Sequence, residues 1–552
     1  MGKSKSVNLS KVIIFGAVAV TLAMTPGLNK DSLIIPKMVV LFSLSLFLLP
    51  FILFSYKDLI NTPYSKTLFI LESTLVLFGI LVLINSSSPI DQLIFGRTGR
   101  GLGLITFLSC VLLTLASCIY IKFEQLELLL KGVVIAGLIT SFYSCIQYFG
   151  VDIFKWDSKT NGIIGTLGNP NSQSSFAAMI FIPTVVLLWR SKFRLVALSI
   201  SIITLLFTIY ISQSTQGYIG VISAIATINL IYFWFKKRVI FWIIGLTTFT
   251  SGIIAILGML GHGPLSYYLY KVSVQSRGDF WRSAFTTGNA HPIFGVGFDS
   301  FGDYSLKYRD EIAASHSFAE YTDSAHNFYL DYLATGGYLF LILNIGLTLL
   351  ALRGFYVLQK NFGGYNRFIA AFFCGWLVIQ LQTIINTQTI TFLTWNSIFT
   401  GAIIGMASKS IGTNAKTSTD SNFTMSFSLI YPQSLVMVLI SLLIMFPFFN
   451  TDRLLVKAAN TGNGDLLIQA VTSYPQSVTK YSQASRALLE SGLPTQSLFL
   501  AKKAVQFNPQ SVSLWALILI NTNATIEERI DAKNKILELD PLNKEVINFE
   551  IK

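Results

Sequence analysis

Residues 276–285 read SRGDFWRSAF, residues 291–304 read HPIFGVGFDSFGDY, and residues 323–337 read DSAHNFYLDYLATGG. The stretch from 277 to 337 holds three of the four histidines of the chain, which are His291, His316 and His326. Long apolar segments precede and follow this polar stretch. Its Arg, Asp and His side chains are therefore expected at the edge of a membrane, where they predict a site of chemistry.

The composition of the whole chain is that of a membrane protein. The chain is 52% hydrophobic and 12% charged, with a mean hydropathy of +0.60, and these values exclude an ordinary soluble globular protein. Thirteen apolar runs are each near the length that a helix needs to cross about 30 Å of hydrocarbon. Their centres lie near residues 18, 43, 75, 110, 139, 181, 202, 226, 249, 342, 375, 400 and 438. The sequence predicts an all-α polytopic membrane protein with about 12–13 transmembrane helices.

The positive charges of the short loops predict an orientation. If the N-terminus is cytoplasmic, the loops on its side carry clusters such as 190–194 and 236–238, and the opposite short loops are poorer in Lys and Arg. The large loop, residues 261–326, and the C-terminal hundred residues then lie outside the cytoplasm. The net charge of +13 follows largely from this topology, so binding of nucleic acid is the weaker interpretation.

A second domain is predicted after the last apolar run. The motif PQSV occurs at Pro475–Val478 and again 34 residues later at Pro509–Val512, and Pro541 follows 32 residues further on. A period of 34 with a proline at the turn is typical of tetratricopeptide-type helical hairpins. We therefore expect a membrane domain at residues 1–450 and a small extracytoplasmic domain of helical repeats at 451–552. A generic α-helical tail is the alternative.

Several polar clusters map to the same face as the large loop. Arg97 and Arg100 lie in the glycine-rich segment GRTGRGLG, where two guanidinium groups can grip a diphosphate or anchor the membrane edge. They depart from the positive-inside trend, and that departure requires a partner. Asn169 and Asn171 in GTLGNPN either bind sugar hydroxyls or cap the next helix, and capping is favoured.

The large loop contributes the remaining candidates from the residues themselves. Arg277 and Trp281 are one helical turn apart, and Asp323 lies three residues before His326. A histidine at the membrane edge near a carboxylate can act as a general base near neutral pH, although such a histidine is more often structural. Gln216 lies in a polar turn, SQSTQGYIG, at the start of another span. The four cysteines fall in apolar segments without metal-ligand spacing, and no Walker A, Rossmann or Gly-x-Ser-x-Gly motif occurs.

With these motifs the chain resembles the O-antigen ligase / O-antigen polymerase family of bacterial envelope glycosyltransferases. The matching elements are GTLGNPN (165–171), SQSTQGYIG (212–220), R-x-x-x-W-x-x-A (277–284), HPIFGVGFDSF (291–301) and AHNFYLDYLATGGYLF (325–340). The ordered set covers roughly residues 10–450, and the C-terminal repeats resemble the tetratricopeptide tails of some members.

The resemblance implies a helical membrane fold in the bacterial cytoplasmic membrane and a donor glycan carried on undecaprenyl diphosphate. It implies inverting transfer without a metal or other cofactor, onto a lipid, glycan or protein acceptor. It places Arg277 as the diphosphate clamp and His326 as the base, with Arg97, Arg100 and Lys37 as helpers. Separately from the resemblance, the helical repeats at residues 451–552 are a candidate surface for a partner protein.

One departure from the family pattern concerns the turn at Gln216, where ligases typically have an arginine. Glutamine supplies no charge to a phosphate, so polymerase activity and protein-directed transfer stay open beside lipid-directed ligation. Two other classes compete with the transferase. A lipid-glycan transporter or flippase would place ionisable residues inside its spans, and these spans are nearly free of charge. A membrane scaffold would act through its repeats alone.

Overall fold

The computed structural model of the chain describes residues 8–154, 156, 163–189, 193–270, 272–316, 322–411 and 423–551, and these are mostly helical. The helices of the first half are α1 (Leu9–Leu22), α2 (Ile34–Phe54), α3 (Tyr56–Ile60), α4 (Pro63–Asn85), α5 (Ile90–Phe95), α6 (Leu104–Tyr120), α7 (Leu126–Tyr148), α8 (Pro170–Leu188), α9 (Arg194–Ile211), α10 (Thr215–Lys236) and α11 (Arg238–Met259), with a 3-10 turn at Phe123–Gln125. The helices of the second half are α12 (Ser266–Leu269), α13 (Val272–Ala290), α14 (Phe301–Tyr304), α15 (Glu311–His316), α16 (Phe328–Asn361), α17 (Arg367–Ile385), α18 (Ile390–Ile411), α19 (Phe423–Thr461), α20 (Gly464–Thr472), α21 (Val478–Glu490), α22 (Pro494–Phe507), α23 (Val512–Leu519), α24 (Ile526–Leu539) and α25 (Lys544–Ile547).

Thirteen of these helices coincide with the thirteen predicted centres, namely α1, α2, α4, α6 to α11 and α16 to α19. Within the described residues, eleven are long and apolar enough to cross a membrane, and α1 and α6 are shorter apolar helices. At 1.5 Å per residue α1 spans only ~21 Å. The prediction of an all-α polytopic membrane protein is confirmed. Its physical basis is that a helix satisfies every backbone polar group within the apolar run itself.

The membrane helices differ in how deeply they are enclosed. Helix α18 lies at the centre, where 89% of its apolar window is buried, and it packs against α6 and α16. A second group is formed by α8 with α9, α10 and α17. Helix α11 contacts α10 and α12, and 0% of its apolar window is buried. Its apolar side chains are therefore placed to face lipid.

Helix α16 is broken at Gly337, where φ is 75° and ψ is −175°. Segment 291–297 of the large loop packs against this break, and the Val296 N–H donates to the carbonyl of Ala334 at 2.9 Å. The segment is bonded to α16 because the break leaves helix carbonyls without their usual internal partners.

The C-terminal helices form a body that continues from the membrane domain. Helix α19 has 39 residues, about 58 Å at 1.5 Å per residue, and runs from the bundle into the tail without interruption. The predicted domain boundary at 450/451 thus falls inside one helix. Helices α20 to α24 pack on their neighbours in sequence order around their own apolar cluster. Their assignment to tetratricopeptide repeats stays a prediction.

Polar segments gather on one face of the bundle, which we call the loop face. It carries residues 86–103, the described parts of the large loop, and the turn 386–389. The tail lies on the same face, since Thr98 contacts Ser477 at 2.7 Å between hydroxyl oxygens. The loop face is therefore where the predicted site residues meet.

Candidate active site

Two buried aspartates of the large loop fix the segment GRTGRGLG. The Oδ2 of Asp299 accepts the backbone N–H of Arg97 at 2.7 Å, and its Oδ1 lies 3.0 Å from Nε of Arg100. The Oδ1 of Asp303 lies 3.1 Å from Nη2 of Arg97. Burial raises the pKa of Asp299, while the charge of Arg100 acts in the opposite direction. Backbone and side chains of this segment are therefore held by carboxylates.

Arg100 is surrounded by three carboxylates. Besides Asp299, Oδ1 of Asp323 lies 3.4 Å from Nη1 and Oδ2 of Asp331 lies 4.0 Å from Nη2. Nη1 also donates to the backbone carbonyl of Asp323. Burial works to lower the pKa of Arg100, but the carboxylates outweigh it and raise that pKa above its usual range. The partners that the sequence required for these arginines are thus carboxylates of the protein, which neutralise much of the positive charge.

Arg277 lies in α13 and has a different environment. Its side chain is partly buried, and within the described part of the chain it has no ion pair and no hydrogen bond. Burial lowers the pKa of Arg277. Arg282 on the same helix contrasts with it, because Arg282 pairs with Asp279 at 2.7 Å and with Asp310 at 2.5 Å. The positive charge of Arg277 is therefore available to an anionic ligand.

His326 lies just before α16, with a φ of 52°. Its ring stacks on Phe280 with 5.7 Å between centroids, and its backbone N–H donates to Oγ of Ser324 at 3.0 Å. The Nδ1 atom is buried and has no hydrogen-bond partner among the described residues. Burial lowers the pKa of His326 to about 4, and the charge of Arg277 acts in the same direction. The imidazole is therefore neutral at pH 7 and able to accept a proton.

The fold brings Arg277 and His326 together from distant parts of the loop. Phe280, about one helical turn after Arg277 in α13, is the residue that stacks on the histidine ring. Asp323 and Arg100 belong to the same group, because both of their charges also act on the pKa of His326. The charge of Arg277, which has no ion pair among the described residues, is thus close enough to act on the neutral imidazole, near a set of paired charges.

A comparison with protein-family models finds one match in the region of this group. Residues 163–345 match the model described as O-antigen ligase. This segment is similar to the O-antigen ligase family. It contains α13, the large loop and the start of α16, and therefore both Arg277 and His326. A comparison with curated proteins finds no match for the chain. The family indicates glycan transfer of the ligase or polymerase type at a membrane and a glycosyltransferase-like enzyme.

Within the O-antigen ligase segment, Asn169 and Asn171 meet at a helix start. The side chain of Asn169 accepts the backbone N–H of Asn171 at 2.7 Å and caps α8. This is the capping role that the sequence favoured. Their contact with glycan stays a prediction.

Gln216, also in the O-antigen ligase segment, lies between membrane helices. Its side chain is buried and lies 3.4 Å from Oγ of Ser175 in α8. Its backbone carbonyl accepts from Nε2 of Gln382 in α17 at 3.1 Å. The Nε2 atom of Gln216 is buried without a hydrogen-bond partner among the described residues. A glycan-binding role for Gln216 stays a prediction.

Trp281 follows Arg277 by one turn on α13. Its Nε1 is buried and lacks a hydrogen-bond partner in the described part of the chain. Since a buried indole N–H normally has an acceptor, this donor is open to an oxygen of a ligand. The predicted substrate contact of Trp281 stays a prediction.

Lys37 precedes the O-antigen ligase segment, and its ammonium group is bonded to backbone carbonyls of the protein. The side chain is 2% exposed, and its ammonium donates to the carbonyls of Val20, Thr21 and Ala23 at 3.2, 2.9 and 3.0 Å. It thereby caps the C-terminal end of the short helix α1. Because an ammonium has three donors and all three are used, this geometry favours a structural role over the predicted substrate contact.

Sequence reasoning missed three residues of the site. Asp299 and Asp303 order the arginine segment, and Gln388 lines the same cavity as Arg100 and Asp323. The amide of Gln388 is buried, with neither Nε2 nor Oε1 bonded to a described residue. Two arginines in the glycine-rich segment GRTGRGLG indicated that carboxylate partners such as Asp299 and Asp303 must exist. No sequence pattern in the turn 386–389 indicated Gln388. Among the described residues no group of three or more His, Cys, Asp or Glu side chains is placed to hold a metal ion.

Proposed function

We propose that this chain is a membrane glycosyltransferase. It transfers or polymerises glycan from an undecaprenyl-diphosphate-linked donor onto an acceptor hydroxyl, at the outer face of the bacterial cytoplasmic membrane. Transfer is inverting and needs no metal. The observation that carries this proposal is the pairing of Arg277, a cation without a carboxylate partner among the described residues, with the neutral ring of His326.

Arg277 serves as the clamp for the leaving group. A guanidinium binds phosphate oxygens through two parallel N–H groups, and its charge stabilises the negative charge that develops as the lipid diphosphate departs. Arg97 and Arg100 are less suited to this task, because Asp303 and Asp299 already neutralise them. Their role is to hold the loop face in shape.

His326 serves as the general base. The acceptor hydroxyl oxygen forms a bond to the anomeric carbon of the donor sugar, and its proton passes to the imidazole. The bond between that carbon and the diphosphate oxygen breaks, and undecaprenyl diphosphate leaves with the electron pair. One displacement of this kind inverts the anomeric centre.

Donor binding tunes the base in this scheme. Burial and the charge of Arg277 hold the pKa of His326 at about 4, which makes the ring a weak base. A bound diphosphate brings negative charge beside Arg277 and cancels part of its effect. The pKa of His326 then rises, so the base gains strength only when the donor is in place.

The structure offers one observation that bears on the transporter alternative. Glu72 of α4 is 3% exposed and lines a cavity of about 60 Å³ with Asn344 and Asn396. A water molecule needs ~10–15 Å³ of such space, so this cavity holds a few waters and no sugar. The cavity at Glu72 therefore gives no support to a glycan pathway.

The test uses the purified full-length chain with a glycan on undecaprenyl diphosphate and EDTA. We expect Arg277→Ala to weaken donor binding and transfer, and His326→Ala to lower kcat by about 10²–10⁴ with donor binding retained. His291→Gln is the matched control, since His291 lies on the same loop and contacts the hydroxyl of Tyr308 at 3.1 Å. It should behave as wild type.

The products separate the acceptor classes. A lengthened glycan without added acceptor indicates a polymerase, and product only with an added acceptor indicates a ligase. Full activity in His326→Ala would refute the general-base role. The scaffold alternative would be favoured if the purified wild type transfers no glycan. In that case the role of the protein in the cell should be lost only when residues 451–552 are removed.

A further inference from the structure

We infer that the C-terminal helical domain is part of the transferase site. The turns of its sequence repeat form a docking edge that holds the two segments carrying Arg277 and His326 in register. This inference rests on the proposed function and goes beyond it, because it assigns positioning residues in a domain outside the O-antigen ligase segment.

The docking edge consists of three successive turns at the spacing of the repeat. In the first turn, the Gln476 N–H donates to Oδ2 of Asp91 at 2.6 Å. In the second, Nδ2 of Asn508 donates to Oδ2 of Asp303 at 3.0 Å. In the third, Asp540 accepts two N–H groups of one arginine of the large loop. Every turn of the repeat thus bonds the loop face.

The repeat itself explains why these side chains project from the edge. Asn508 and Asp540 each precede a proline, which disfavours the helical conformation for them. Both lie outside the helical region accordingly, with φ of −137° and −146°. Each helix therefore ends at that residue, and its polar side chain points away from the helix to which it belongs. Both residues are 1% exposed, so these contacts are buried.

One route leads from the second turn to His326. Asn508 holds Asp303, which also lies 3.1 Å from Nη2 of Arg97. The segment that carries Arg97 also carries Arg100, and Arg100 donates to the carbonyl of Asp323. Asp323 precedes His326 by three residues, so the position of the imidazole depends on this chain of contacts.

A second route leads from the third turn to Arg277. Asp540 accepts from Nε and Nη2 of Arg309 at 3.0 Å each, an ion pair that is nearly fully buried. The next residue, Asp310, lies 2.5 Å from Nε of Arg282 in α13. Arg277 is on the same helix. The tail thus braces both members of the site from one side.

The expected consequence is a loss of alignment. A displacement of about 1 Å between reacting groups costs on the order of a hundredfold in rate. Undocking also lets water reach His326 and moves Arg277 away from it. Both changes should raise the pKa of the imidazole, whether or not it acts as the base.

The experiment compares Asn508→Asp and Asp540→Asn with wild type in the full-length chain. Asn508→Asp places a carboxylate against Asp303, and Asp540→Asn removes the charge that faces Arg309. The matched control is Asn523→Ala, because Nδ2 of Asn523 bonds only inside the tail, to Oγ1 of Thr495 at 2.8 Å. Three quantities are measured: kcat and KM with undecaprenyl-diphosphate glycan, and the titration midpoint of His326 from hydrogen–deuterium exchange at ring C2.

We expect both docking-edge variants to lower kcat about ten- to hundredfold with less than a threefold change in donor KM. The midpoint of His326 should move upward in both, while the control keeps wild-type values. A merely folding-related role would reduce the yield of protein without moving that midpoint. Wild-type kcat and an unmoved midpoint in both variants would overturn the inference. If the wild type transfers no glycan, the proposed function fails, and the midpoint alone still decides whether the tail positions His326.

Discussion

The substitution Arg277→Gln tests the electrostatic core of the site. The pKa of His326 lies at about 4, against 6.5 for an unperturbed histidine. Burial is the larger cause and remains in the variant, whereas the positive charge of Arg277 is removed. We therefore expect the pKa of His326 to rise by roughly one pH unit, equivalent to ~1.4 kcal/mol between the two protonation states.

Exchange of the C2 hydrogen of each histidine, followed by mass spectrometry, measures this pKa residue by residue. The exchange rate increases as the ring loses its proton, so its midpoint in pH gives the pKa. His291 serves as an internal control in the same sample. Burial and the charge of Lys307 lower its pKa, so the substitution of Arg277 should leave it unchanged.

Activity should follow the same shift. A general base must be neutral, so kcat/KM falls as pH decreases through the pKa of free His326. The acid limb should therefore lie near pH 4 in the wild type and about one unit higher in the residual activity of Arg277→Gln. An unchanged midpoint for His326, with His291 also unchanged, would refute the interaction between the two residues.

Three further changes probe the surroundings. Lys37→Met removes the cap of α1 and should lower the free energy of unfolding by about 2 kcal/mol in thermal unfolding. The affinity for undecaprenyl diphosphate should stay the same. Weaker donor binding at unchanged stability would instead indicate that Lys37 contacts the substrate. Asp299→Asn leaves Arg100 without its nearest carboxylate and should cost about 3 kcal/mol, with kcat reduced per folded molecule; wild-type stability would contradict this. Gly295→Ala should cost ~3 kcal/mol because φ is 61° and a Cβ meets the backbone of Thr335, and an unaltered melting temperature would be evidence against that packing.

Part of the site was predictable because its signals are local. The cap at Asn169 depends on residues within one turn, and the side chain of Asn169 does accept the N–H of Asn171. Arg277 and His326 were predicted by their residue types at membrane edges and by the family motifs. What the sequence could not give is their charge state. Whether an arginine is neutralised depends on which carboxylates the fold brings near.

Arg100 and Arg277 show this difference most clearly. Both are arginines beside glycine in polar loops of the same face. Arg100 is enclosed by Asp299, Asp323 and Asp331, whereas Arg277 has no such partner in the described chain. Long-range packing alone separates the two.

The sequence by itself determined the membrane class, the thirteen helices and the period of the C-terminal repeat. Each of these features depends on a continuous stretch of sequence. The length of an apolar run determines whether a helix can cross the membrane, and a proline ends the helix that precedes it. Only the tertiary structure decided which arginine stays uncompensated, that Lys37 caps a helix, and that the repeat turns dock on the loop face. These outcomes depend on contacts between residues far apart in the chain, such as Asn508 with Asp303, and no local pattern specifies them.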